Sequence, residues 1–358
     1  MRLILLALAA LTAFAGAASA QVQTPGAAAN SPVRDALRTW RDPDLGLAVV
    51  EGAATDASLW LRGVSGALVH FDRTTGERTV VAADVVDILA DGPHLWALIA
   101  LNENEGVVRD IRQPRGTDRK LYFEGALIGL IGTPEGPDVL TDSRILRPDG
   151  ARWSRTRLAG GLEPHAHISP LTAGSVFVGY NRGEWGGGLR RADVATGSLA
   201  FVQEADAEVC RGRLDPACAP IVGVIADPQA DGCVLVGTSL AHMSSRKGEV
   251  LRVCGNEITP VFSDPLPVVE GDFMFRPGQT WPFDSLVAVN DGWIAVGHDG
   301  YARSRQGVVT MASVPALASW SGLSLSDPVD GVIFIQAACC WGSAHRVLGR
   351  VIAVPISD

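Results

Sequence analysis

Beyond its first 20 residues the chain has no apolar run approaching the ~20 residues that a membrane-spanning helix needs, so no membrane span is expected. Nor is there a basic excess. The 30 Lys and Arg stand against 39 Asp and Glu, and no basic stripe able to neutralise a phosphate backbone is visible, so nucleic acid is not an expected partner. A G-x-S-x-G elbow, an H-E-x-x-H helix, a P-loop and a dinucleotide fingerprint are all missing. Their absence excludes the commonest hydrolase, kinase and dehydrogenase classes, but not an enzyme whose residues are dispersed along the chain. Cysteine is confined to the second half, all six lying after residue 209.

What is present begins with a leader. A single basic residue (Arg2), an apolar run from Leu3 to Phe14 and small residues ending Ala18-Ser19-Ala20 read as a secretory signal over residues 1–20, cleaved near Ala20. No cysteine follows to carry a lipid. The expected location is periplasmic or secreted. Residues 21–36 open with the low-complexity QVQTPGAAANS and read as a mobile tail. The 47% hydrophobic content supplies a large core, and 19% charged residues excludes general disorder.

From residue 37 to 358 the chain repeats itself. An apolar strand, a Gly/Asp/Pro turn and a second apolar strand recur seven times, in segments such as VVDILADGPHLWALIA, VGVIADPQADGCVLVGT and LVAVNDGWIAVGHD. A third and usually a fourth strand follow, joined by TTG, PDG and ATG turns whose glycine accepts the positive φ of a tight hairpin. The period matches the roughly 40–50 residues of a four-stranded blade. The expected fold is therefore all-β: a seven-bladed β-propeller, with six or eight blades as alternatives, forming a single closed ring of four-stranded antiparallel sheets. Closure would draw on a segment around Leu37 to Val50, and HRVLGRVIAVPIS would supply the last two strands. A β-sandwich would not need the same motif seven times. Trp60, Trp96 and Trp293, each on a second strand, are expected in the core between blades.

The phrases FDRTTG, ADGPHLWAL and GGLRRADVATG resemble the repeats of two-component-regulator-type sensor propellers and, more distantly, quinoprotein propellers. The resemblance spans the mature chain and implies the fold rather than a function.

Strand alternation places every loop after a second strand, and every connection between blades, on one face. Aromatic and glycine residues gather there: Trp185 within NRGEWGGG, Trp341 within CCWGSAH, and Phe273, Phe275, Trp281 and Phe283 in one inter-blade connection. Exposed aromatics on flexible backbone around a central depression suit a ligand surface. The expected ligand-binding residues are Asn181, Arg182, Glu184, Trp185, His298, Asp299 and Trp341. The competing reading of Glu184 is an ion pair with an arginine that braces its loop.

The leading expectation is an exported, monomeric binding protein that recognises a protein, peptide or glycan at the channel mouth. The alternative is a metal-assisted, lactonase-like hydrolase or lyase with Glu184 as catalytic base and His165, His167 or His298 as ligands or acid/base groups. Its metal would be calcium or a transition metal, with Asn102, Asp142, Asn181, Glu184 and Asp299 as possible oxygen donors. No spacing matches a recognised metal motif. A single Glu also lacks the second carboxylate of a glycosidase pair.

In an exported chain the cysteines are expected in disulfides. Cys210 and Cys218 flank a short loop, and Cys233 and Cys254 lie on neighbouring strands of one repeat. Cys339 and Cys340 are adjacent, and three readings stay open: a vicinal bridge, distant partners or buried thiols. The quinoprotein resemblance implies a vicinal ring against a flat cofactor, with Trp341 as an added stacking surface.

Overall fold

A computed structural model of the chain describes residues 49–313 except 55–57, 64, 73–74, 114–115, 117, 206–207, 243–244, 269–276, 290 and 298–299. It also describes the backbone of strands 321–325, 332–339 and 346–355. The leader and tail expected over residues 1–36 lie outside the described residues.

Six blades are antiparallel sheets of four strands in sequence order. The first comprises β1 (Val49–Ala54), β2 (Ser58–Gly63), β3 (Leu68–Asp72) and β4 (Arg78–Ala82). The second comprises β5 (Val85–Asp91), β6 (His94–Ala100), β7 (Glu105–Asp110) and β8 (Arg119–Tyr122), and the third β9 (Leu127–Ile131), β10 (Asp138–Thr141), β11 (Arg144–Asp149) and β12 (Arg152–Arg157). β13 (His167–Ile168), β14 (Ser175–Gly179), β15 (Leu189–Asp193) and β16 (Leu199–Val202) form the fourth. β17 (Ile221–Ala226), β18 (Val234–His242), β19 (Ser245–Cys254) and β20 (Glu257–Phe262) form the fifth, and β21 (Ser285–Val289), β22 (Gly292–Val296), β23 (Gly300–Arg305) and β24 (Val308–Ser313) the sixth.

The expectation of seven four-stranded blades in a hydrogen-bonded ring is corrected on two counts. The described residues form six such blades, followed by a three-stranded sheet of β25 (Ser321–Leu325), β26 (Val332–Cys339) and β27 (Arg346–Pro355). The two strands expected in HRVLGRVIAVPIS are one. Gly349 stands alone without the Asp-Gly or Thr-Gly partner of a hairpin, so the chain stays extended, and the register with β26 slips between Gln336 and Ala338 as at a bulge. Nor, among the described residues, is the ring closed by hydrogen bonds: there β1 pairs only with β2, β25 pairs only with β26, and the two first strands merely lie beside each other.

The hairpin chemistry is as expected, with Gly76, Gly150 and Gly197 at φ 72, 58 and 72°. The core lies between blades. One cluster joins Ala53, Trp60 and Leu68 to Ile88, Leu95 and Ala97, and another joins Val222, Leu235 and Phe262 to Phe283, Leu286 and Trp293. Trp60, Trp96 and Trp293 are 9, 7 and 1% exposed, as their place on second strands requires. Each large buried side chain contributes about 1.5–3 kcal/mol.

First strands of successive blades neighbour one another around the axis, and polar groups stitch them. Glu51 on β1 accepts hydrogen bonds from Arg62 Nε at 2.7 Å and from the Ile88 amide of β5 at 3.3 Å. Asp87 on β5 accepts from the Leu130 amide of β9 at 2.6 Å. Gly129 makes room for it, since a Cβ there would lie 2.6 Å from Asp87 Oδ2. The Glu51 and Asp87 carboxyls lie close enough to influence each other. Burial raises both above the usual carboxylate range, and for Glu51 the neighbouring Asp87 charge adds to the effect.

Candidate functional site

Four of the expected ligand residues, Asn181, Arg182, Glu184 and Trp185, share the loop between β14 and β15. The Asn181 side-chain oxygen accepts the Gly183 amide at 2.9 Å, which starts a single 3-10 turn over Gly183–Trp185. Gly186, Gly187 and Gly188 then run through φ of 75, 134 and 74°. Side chains there would collide with backbone: a Cβ at Gly187 would lie 2.1 Å from the Tyr180 carbonyl, and one at Gly186 2.4 Å from that of Pro216. With hydrogen in that place, the Gly187 and Gly188 amides donate to Pro216 and Ala219 carbonyls at 2.9 Å each.

The surface they dock on is itself braced. Cys210 and Cys218 are disulfide-bonded across it, as their spacing suggested, and Asp215 accepts amide bonds from Cys210 and Ala217 at 2.7 and 2.9 Å. Cys233 and Cys254 form the second expected bridge. A loop so fastened presents Trp185 to solvent at 74% exposure, among the most exposed large apolar residues described.

The charges beside Trp185 do not converge on one point. Arg182 pairs with Glu163 in the connection from the third blade. Glu184 pairs with His242 at the end of β18, Oε2 to Nε2 at 2.9 Å, rather than with the arginine that its loop offered. Below them Tyr180 is buried, its hydroxyl accepting the Glu163 amide at 3.0 Å, and burial raises its phenol. Arg190 lies 5.8 Å from the Tyr180 ring centroid and donates to the Gly161 carbonyl at 2.7 Å. The loop of the fourth blade is thus held from both neighbouring blades.

Of the metal candidates, Asn181 and Glu184 lie on this loop, and His167 pairs with Gly179 just before it. His165 is exposed in the left-handed region at φ 62°, while His167 is half-buried on the first strand of the fourth blade. Burial lowers the His167 imidazole to about 4, so it is neutral at ordinary pH. Asn102, proposed as a calcium donor, spends its side-chain oxygen on the Asn104 and Glu105 amides, both at 2.9 Å. Among the described residues no three His, Cys, Asp or Glu come together as a metal would need. His298, Asp299, Cys340 and Trp341 lie outside the described residues, and Cys339 is described only as backbone at the end of β26. The partners Glu163 and His242 carried no local signal, because each is brought to the loop by a different blade.

No family model matches the chain, and no curated protein matches it. Its fold is nevertheless similar to known structures. The β-propeller domain of Cps50 (Swd1) from Myceliophteria thermophila is 10% identical, with 81% of this chain and 94% of that one covered at a TM-score of 0.50. The structure of U3-55K is 11% identical, with 86% and 94% covered at a TM-score of 0.51. At such identity the likeness establishes the β-propeller fold and no narrower family.

Proposed function

We propose that this chain is an exported binding protein that recognises a protein, peptide or glycan ligand through the face bearing Trp185. One observation carries the reading: a tryptophan left 74% exposed on a loop that its glycines, its disulfide-braced support, the Arg182–Glu163 ion pair and the Glu184–His242 contact all hold still. A rigid aromatic anchor loses little entropy on binding, and such residues dominate interface energetics. The two disulfides support an oxidising compartment, in line with the leader expected over residues 1–20. The hydrolase reading gains no support from Glu184, which is engaged by His242.

Purified protein applied to peptide and glycan arrays is expected to select a ligand that Trp185→Ala binds about 30-fold more weakly, the effect of losing about 2 kcal/mol at an anchor. Equal binding by wild type and Trp185→Ala would remove this face from consideration.

A further inference from the structure

The basic residues are interleaved with acidic ones along the chain, but the fold collects several on the outer strands of the second and third blades. β8 and β12 are the edge strands there, and β12 reaches across to β8. Trp153 Nε1 donates to the Lys120 carbonyl at 2.7 Å, and Arg155 Nη2 donates to that of Tyr122 at 3.1 Å. These bonds cap edge carbonyls of β8, a protection that exposed strands commonly need. The seam is left lined by side chains: Lys120, Tyr122, Trp153, Arg155 and Arg157, with Tyr122 60% exposed.

Two of the cations on this seam are not neutralised by their neighbours. Arg155 and Arg157 have no carboxylate within ion-pair distance among the described residues, and the nearby Asp118 is held by Arg109 through two 2.7 Å bonds. The chain as a whole is acidic, with a formal net charge of −9. We propose that this seam binds a short acidic segment of a partner protein in extended conformation. Arg155 and Arg157 lie two residues apart on one strand, roughly 7 Å, which is the repeat of alternate side chains in an extended peptide. Tyr122 and Trp153 offer apolar surface to the side chains beside the carboxylates. A long polyanion or an anionic membrane would also meet the acidic remainder of the molecule. A short segment feels mainly the charges within about 8 Å, the screening length at physiological salt.

Fluorescence anisotropy with a labelled peptide of alternating glutamate and alanine tests this in the full chain. The wild type is expected to bind the peptide, more weakly as salt rises. Arg155→Glu combined with Arg157→Glu is expected to weaken binding at least about tenfold, and Trp185→Ala to leave it unchanged. Arg155→Gln with Arg157→Gln, whose amide retains a donor for the Tyr122 carbonyl, gives the same readout if the reversed charges impair folding. Unchanged binding by a folded double variant overturns the proposal. So does tighter wild-type binding to labelled single-stranded DNA or to phosphatidylglycerol vesicles than to the peptide.

Discussion

Gly187→Ala is expected to destabilise the protein by about 3 kcal/mol or more and to release the Trp185 loop from its support. Two costs coincide at this position. Its φ of 134° belongs to a region that side-chain-bearing residues rarely adopt, and the new Cβ would lie 2.1 Å from the Tyr180 carbonyl oxygen. Neither obstacle is a flexible side chain able to swing away. Gly183→Ala is the control, since its φ is also positive at 61° but nothing lies within 4 Å of the added methyl, so about 1 kcal/mol is expected. Chemical denaturation compares the two, and hydrogen exchange at the Gly187 and Gly188 amides reports the loop itself. Equal stability of the two variants would mean that the glycine run is not the fastening described.

Asp87→Asn is expected to stabilise the protein above neutral pH, by about 1 kcal/mol, and to make no such difference near pH 4. The sign follows from the raised pKa of the Glu51 and Asp87 carboxyls. A carboxyl that holds its proton more tightly when folded adds stability below its unfolded pKa, about 4, and that stability is lost as pH rises through the higher folded value. In the wild type the blade seam therefore weakens on going alkaline. Asparagine keeps an oxygen for the Leu130 amide and removes one of the two opposed charges, so the melting temperature should fall less between pH 5 and 8. A wild-type melting temperature that rises across this interval, or an Asp87→Asn variant that tracks it throughout, would show that the pair carries no such linkage.

How much of this was legible beforehand depends on the range of the interaction. Hairpin turns are local, so TTG, PDG and ATG announced their geometry, and the burial of Trp60, Trp96 and Trp293 followed from their position in the repeat. The Cys210–Cys218 and Cys233–Cys254 bridges are short-range within their repeats and were readable for the same reason. The single long strand of the last sheet is not legible in sequence, because apolar alternation continues straight through Gly349 and only pairing with β26 distinguishes one long strand from two. The Arg182–Glu163 and Glu184–His242 contacts around Trp185 join residues contributed by three successive blades. Nothing adjacent to Glu184 in sequence pointed to His242, whereas Arg182 at two residues' distance offered a false partner. The cationic seam was hidden by the same logic, for Trp153 meets Lys120, and Arg155 meets Tyr122, only across the edges of strands from different repeats.

Oxidative footprinting tests most directly whether Trp185 anchors a ligand surface. Of the nine tryptophans, Trp60, Trp96, Trp281 and Trp293 are buried and Trp185 is exposed, so Trp185 should be oxidised well ahead of those four in the free protein. With the array-selected ligand bound at saturation, the account predicts that Trp185 becomes protected while the buried tryptophans are unaffected. Full reactivity of Trp185 in the saturated complex would contradict it.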